Sequence, residues 1–147
     1  MSGGANEEMV EMANMRAYDI MTKDVLTVTP DVSVDEVRDL LFQHAVHGVP
    51  VVDDSGRLVG IVSVVDLAGK LGTRVLHIME HNPVTASEDA SIGEIASLML
   101  TKRVRRIPIL RDGSLVGIVA ASDIIRAFLD LEEERAAERG VVESEKV

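Results

Sequence analysis

Cysteine and tryptophan are absent from this 147-residue chain, and its aromatic residues amount to two Phe and one Tyr. Without cysteine there is no disulfide framework and no thiolate metal site, and the composition suits a reducing compartment. With so few aromatic rings the chain offers little on which to stack bases, which argues against RNA binding. The core must be built from Val, Ile, Leu, Met and Ala, with β-branched residues in the strands. Positive charge is scarce as well: 15 Lys and Arg stand against 25 Asp and Glu, a net charge of −10. That balance disfavours a nucleic-acid-binding face and attraction to an anionic membrane. No apolar run approaches the ~20 residues that span a bilayer, and residues 1–15 do not read as a secretory signal. The expected location is the cytoplasm.

What the chain does contain is an internal duplication. Ile20-Met21 returns as Ile78-Met79, Ser33-Val34-Asp35-Glu36 as Ser91-Ile92-Gly93-Glu94, and Val49-Pro50-Val51 as Ile107-Pro108-Ile109, all at an offset of 58. Gly60-Ile61-Val62 then matches Gly117-Ile118-Val119 at 57, one residue having been lost at the turn Asp112-Gly113. A deletion confined to a surface turn is what a duplicated fold tolerates.

Within each copy the local signals are strong. Ser33 and Ser91 are N-caps, each with Glu three residues on, the pattern of a capping box. Val34, Val37, Leu40 and Leu41 share one helical face, and Gly48 is the expected left-handed stop. Val25 to Val28 and Val49 to Val52 read as strands, with Pro50 at an edge or strand start. Leu58 to Val62 is a further strand and Asp66 to Leu71 a short helix. The last helix begins at Ile124, with Ile125, Phe128, Leu129 and Leu131 on its inner side.

The expected fold class is therefore α+β: two β-α-β-β-α repeats packed about a pseudo-two-fold axis, since a unit this small buries too little surface alone. The divisions are a mobile arm over 1–15 ending in a short helix, repeats over 16–72 and 73–131, and an acidic, solvated helical extension with a frayed tail over 132–147.

Each copy ends in a strand that runs into a helix: Gly60-Ile61-Val62-Ser63-Val64-Val65-Asp66 and Gly117-Ile118-Val119-Ala120-Ala121-Ser122-Asp123. A helix start offers unpaired N–H groups and a partial positive charge, which suits an anion. With the doubled order Asp19-Ile20-Met21-Thr22, Val25-Leu26-Thr27-Val28 and His47-Gly48-Val49-Pro50-Val51-Val52-Asp53, these segments resemble the cystathionine β-synthase (CBS) domain family, as a tandem pair over residues 17–131.

The resemblance implies a regulatory module rather than an enzyme. It also implies two pseudo-symmetric clefts for adenosine-containing ligands: AMP, ADP, ATP or S-adenosylmethionine. Carried over by residue, one cleft uses Asp66 for the ribose hydroxyls and Ser63 beside it, with Val84, Arg105, Arg106, Ile107 and Pro108. The other uses Asp123 and the adjacent Ser122, with Thr22, Val25, His47, Gly48, Val49 and Pro50. Ala120 stands where a Ser or Thr is expected, which costs the Asp123 cleft a hydroxyl and makes it the weaker one, or one that holds its ligand differently. The resemblance further implies a homodimer and a protein partner that the module regulates, with no cofactor required.

Two readings stay open for several of these residues. Ser63 and Asp66 also satisfy a capping box, and Asp123 also complements a helix dipole. Within Lys102-Arg103-Val104-Arg105-Arg106, a phosphate contact is expected of Arg105 or Arg106, while Lys102 and Arg103 fit a solvated helix end. His44 and His47 have a spacing compatible with a metal but no third ligand. No Ser/His/Asp set, P-loop or metal-ligand constellation is present. The alternative function is a structural or oligomerisation module that needs no ligand.

Overall fold

The computed structural model describes residues 3–140, with side chains from Glu7 onward. In chain order the elements are α1 (Gly3–Asn14), α2 (Ala17–Ile20), α3 (Val34–His44), β1 (Gly48–Val52), β2 (Leu58–Ser63), α4 (Val64–Gly69), α5 (Val75–Ile78), β3 (Ala86–Ser87), α6 (Ile92–Lys102), β4 (Arg106–Arg111), β5 (Ser114–Ala120) and α7 (Ala121–Glu138). β1 and β2 pair antiparallel, and β3-β4-β5 form the second sheet, parallel then antiparallel. The hairpin tips join the two sheets. Leu58 donates to the Gly113 carbonyl at 3.4 Å, Leu115 to that of Gly56 at 3.2 Å, and the Arg57 guanidinium to that of Asp112 at 3.2 Å.

Each repeat is completed by the lead segment of the other. α2 belongs by sequence to the first repeat, yet Ala17, Ile20 and Met21 pack with Ile92, Ile95, Ile107, Ile109 and Val119 of the second. Val75, Ile78 and Met79 pack in turn with Val37, Leu41, Val49, Val51 and Val62. Matching backbone bridges anchor both crossings: Arg16 with Ser91 and Thr22 with Ile118, then Arg74 with Ser33 and Glu80 with Ile61. The glycine at each crossing leaves room for a methionine. A Cβ at Gly60 would stand 2.8 Å from Met79 Sδ and 2.7 Å from the Glu80 carbonyl, and one at Gly117 2.5 Å from Met21 Sδ and 2.9 Å from the Thr22 carbonyl.

Several local expectations need correction. Val25 to Val28 is not a strand; only Val28 bridges to Val51, and its counterpart β3 has two residues. Pro50 lies in the middle of β1 and not at its start, but β1 is an edge strand of a two-stranded sheet, so the edge expectation holds. Val28 N–H donates to the Pro50 carbonyl, so the proline nitrogen also faces the Val28 segment, and with no N–H there the pairing cannot extend backwards. α3 stops at His44, with Ala45 in the left-handed conformation at φ 53°, matched by Arg103 at φ 56° after α6. Gly48 is extended instead, pressed so close to β2 that a Cβ would stand 3.1 Å from the Val62 carbonyl. The Ser33 cap holds, accepting from Glu36 N at 3.1 Å, but the Glu36 carboxylate takes the Ser33 hydroxyl and not its N–H. The full reciprocal box is found at Ser91 and Glu94.

The two ends also differ from expectation. The inner side of α7 carries Asp123, Ala127, Leu131 and Ala136, while Ile125 and Leu129 are exposed. Residues 123, 127 and 131 recur at about the 3.6-residue period and share the buried face, so Leu131 lies inward as expected. Residues 3–14 are one continuous helix docked on α6 and α7, in place of a mobile arm. Arg135, in the segment expected to be solvated, reaches Glu11 at 3.0 Å and Glu7 at 3.9 Å. The tail expected to be frayed lies outside the described residues beyond Gly140. No helix among the described residues is long and apolar enough to cross a membrane.

Glu8 is buried in this α1–α7 contact, 3.8 Å from the Arg139 guanidinium. A hydrogen bond with Glu132 pushes its carboxyl above the ordinary range, helped by burial and opposed by Arg135 and Arg139. An acid with a raised native pKa contributes stability while protonated and loses it as pH rises through the native value. Docking of α1 is therefore expected to loosen as pH climbs out of the ordinary glutamate range and through the raised native value, and Glu8→Gln to remove that dependence. Amide chemical shifts of α1 across this range check it; an unchanged pH profile in the variant contradicts it.

Candidate ligand clefts between the repeats

The two strand-to-helix junctions place their aspartates alike and bond them differently. Asp66 and Asp123 are buried, 8% and 6% exposed. At the first junction Asp66 Oδ2 accepts from Ser63 N at 2.9 Å and Ser63 Oγ at 3.0 Å, and Oδ1 meets the Lys70 ammonium at 2.9 Å. Ser63 Oγ accepts in return from Asp66 N at 3.3 Å, closing the capping box. At the second, Asp123 Oδ2 accepts only from Ala120 N, at 2.8 Å, and Oδ1 from Arg126 at 3.0 Å. The missing hydroxyl at Ala120 therefore leaves Asp123 with acceptor capacity that Asp66 has already used.

Two clefts open between the repeats. The smaller, of about 190 Å³, is lined by Ser63, Val84, Arg105 and Arg106, together with Gly48, Val49, Pro50, Ile61, Glu80, Pro83, Val104 and Ile118. Of the residues expected there, Ile107 and Pro108 are fully buried in the second repeat's core and do not line it. Neither does Asp66, which touches the cleft only through Ser63.

The larger cleft, of about 440 Å³, brings together Thr22, Val25, His47, Gly48, Val49, Pro50, Ser122 and Asp123, all eight residues expected for it. The sequence alone did not point to Asp24, Leu26, Ala45, Val46, Ile118 and Arg126 on its wall. Arg126 had a legible signal: it sits one helical turn beyond Asp123, the spacing at which opposite charges meet. His44 also lines this cleft, and no metal-holding cluster of His, Asp and Glu occurs among the described residues.

The clefts share a wall made of Gly48, Val49, Pro50, Arg106 and Ile118. Across it Arg106 Nη2 lies 3.1 Å from His47 Nδ1, which joins the repeats. Such a wall offers strand-end backbone for a flat polar ring edge, aliphatic surface for its faces, a carboxylate for hydroxyls and guanidinium groups for an anion.

Comparison with known proteins agrees with this architecture. The sequence matches the CBS domain family twice, over residues 17–72 and 75–130. Among curated relatives, the zinc metalloprotease MJ0392 of Methanocaldococcus jannaschii is 41% identical over 123 residues, covering 82% of this chain and 35% of that protein. The chain spans only 22% to 35% of the length of the first five such relatives. Among solved structures, CBSX2 in complex with AMP is 31% identical, with a TM-score of 0.77 over 80% of this chain and 98% of that one. The CBS domain pair of MJ0100 in complex with 5′-methylthioadenosine and S-adenosyl-L-methionine is 31% identical, with a TM-score of 0.72 over 79% and 97%. A doubled family match over about three quarters of the chain, on a mixed helix-and-strand fold with the two halves interlocked, has one meaning: the chain belongs to the CBS domain family, as a tandem pair.

Proposed function

We propose that this chain is a regulatory module, not an enzyme, that binds an adenosine-containing ligand of the AMP, ADP, ATP or S-adenosylmethionine class, principally in the Asp123 cleft. One observation carries the reading: a buried carboxylate with spare acceptor capacity faces strand-end backbone of the other repeat in a cleft of about 440 Å³. That volume lies in the range of small-molecule sites, about 300–1,000 Å³, and the 190 Å³ of the other cleft lies below it. AMP and adenosyl compounds bound to structures of the same fold support the ligand class. In this reading Asp123 takes the ribose hydroxyls, Gly48 to Pro50 the adenine edge, and Arg106 with Arg126 the phosphate. In the smaller cleft Ser63, Val84 and Arg105 make the corresponding contacts.

A cytoplasmic homodimer belongs to the same proposal. Phe42 and Leu100 occupy equivalent positions on α3 and α6 and are 89% and 80% exposed, which suits burial against a second copy. The ligand acts by favouring one arrangement of the pair over another, and a protein partner reads the difference. The competing reading, a structural module without a ligand, is favoured at one point only: Asp66 is wholly engaged by its own helix start and Lys70.

A thermal-shift series with AMP, ADP, ATP and S-adenosylmethionine separates the two. A ligand at one hundred times its Kd adds about 2.7 kcal/mol of stability, so at least one of the four is expected to raise Tm by several degrees. Indifference to all four overturns the ligand reading and leaves the structural one.

A further inference from the structure

We infer that the two clefts are negatively coupled through Arg106, so that a phosphate-bearing ligand in one weakens a phosphate-bearing ligand in the other. The inference rests on the adenosine-ligand reading above and adds a rule of occupancy to it. Arg106 lines both clefts from a single position at the start of β4. Its guanidinium is held at His47 Nδ1, and His47 lines only the Asp123 cleft, so the charge is presented on that side. The smaller cleft then keeps Arg105 as its own cation, beside Glu80 of the opposite sign.

One guanidinium offers one planar fork, and it satisfies one phosphate bidentately at a time. A nucleotide in the Asp123 cleft therefore holds Arg106 and leaves the smaller cleft short of a donor. A ligand without phosphate makes no claim on Arg106 and escapes the coupling. Linkage makes the penalty the same in both directions.

The test is an NMR titration of the full chain, with the Val84 amide reporting the smaller cleft and the Val25 amide the larger. AMP affinity at the Val84 cleft is compared between the wild type, its Asp123 cleft saturated, and Asp123→Ala, with Asp123→Asn in reserve should alanine loosen the fold. The Val84 cleft is expected to bind AMP at least about fivefold more tightly in the Asp123 variant. Adenosine should bind it equally in both proteins, and Arg106→Gln should abolish the difference seen with AMP. Equal AMP affinity in both proteins, or a difference that survives Arg106→Gln, overturns the coupling. So does a Val84 cleft that never fills, which leaves the Asp123 site intact. Failure of AMP and adenosine at both clefts overturns the adenosine-ligand reading as well.

Discussion

Gly117→Val is expected to destabilise the fold by about 3 kcal/mol and to abolish nucleotide binding with it. The first atom of any side chain here meets Met21 Sδ at 2.5 Å and the Thr22 carbonyl at 2.9 Å. The sulfur sits at the flexible end of its side chain and can turn aside. The carbonyl cannot, because Thr22 is tied to Ile118 by two backbone hydrogen bonds of 2.9 and 3.0 Å. Relief of the clash therefore means parting the crossing strand from β5, and that crossing carries Thr22 and Val25 to the wall of the Asp123 cleft. Gly60→Val should act alike on the Met79 side. Denaturant unfolding with an AMP titration checks both effects; a variant as stable as wild type would show that the crossing yields more cheaply than its hydrogen bonds suggest.

The second large effect separates the two aspartates. Asp123→Ala is expected to weaken AMP binding at least about tenfold, a loss of about 1.4 kcal/mol or more, while costing the fold about 1 kcal/mol through the unpaired Ala120 N–H. Asp66→Ala should do the reverse. It strips an acceptor from Ser63 N, Ser63 Oγ and Lys70 at once, so stability falls by about 2 kcal/mol and AMP affinity at the larger cleft stays within twofold or so. Paired calorimetry and urea melts read both quantities. Equal loss of binding in the two variants would contradict the assignment of the larger cleft as the principal site.

The fold was legible because its signals are doubled. One Ser cap with Glu three residues on is common; two of them 58 residues apart, each followed by an apolar-proline-apolar strand, define a repeat unit, and the family resemblance followed from that order. The Asp123 cleft was legible for the same reason. What stayed hidden is of another kind. Ile20-Met21 reads as core in any sequence pattern, but nothing in it says that the core it fills lies in the other repeat. The resemblance puts Ile107 and Pro108 in a cleft wall, yet β4 is covered on both faces there and 107, 108 and 109 are all buried. Ala120 looked like a deficit because a hydroxyl was missing; the effect on Asp123, which keeps capacity Asp66 has spent, depends on distances. On α7 Leu131 faces inward as expected, but the small Ala127 takes the place expected of Ile125 and Leu129, which are exposed.

The reciprocal loan of α2 and α5 has a consequence for how this unit can be inherited. A half cut out at Gly72 would leave with a lead segment shaped for its sibling and without the one shaped for itself, its own apolar floor left open to water. The pair is accordingly the smallest piece that can be spliced into another polypeptide and still close.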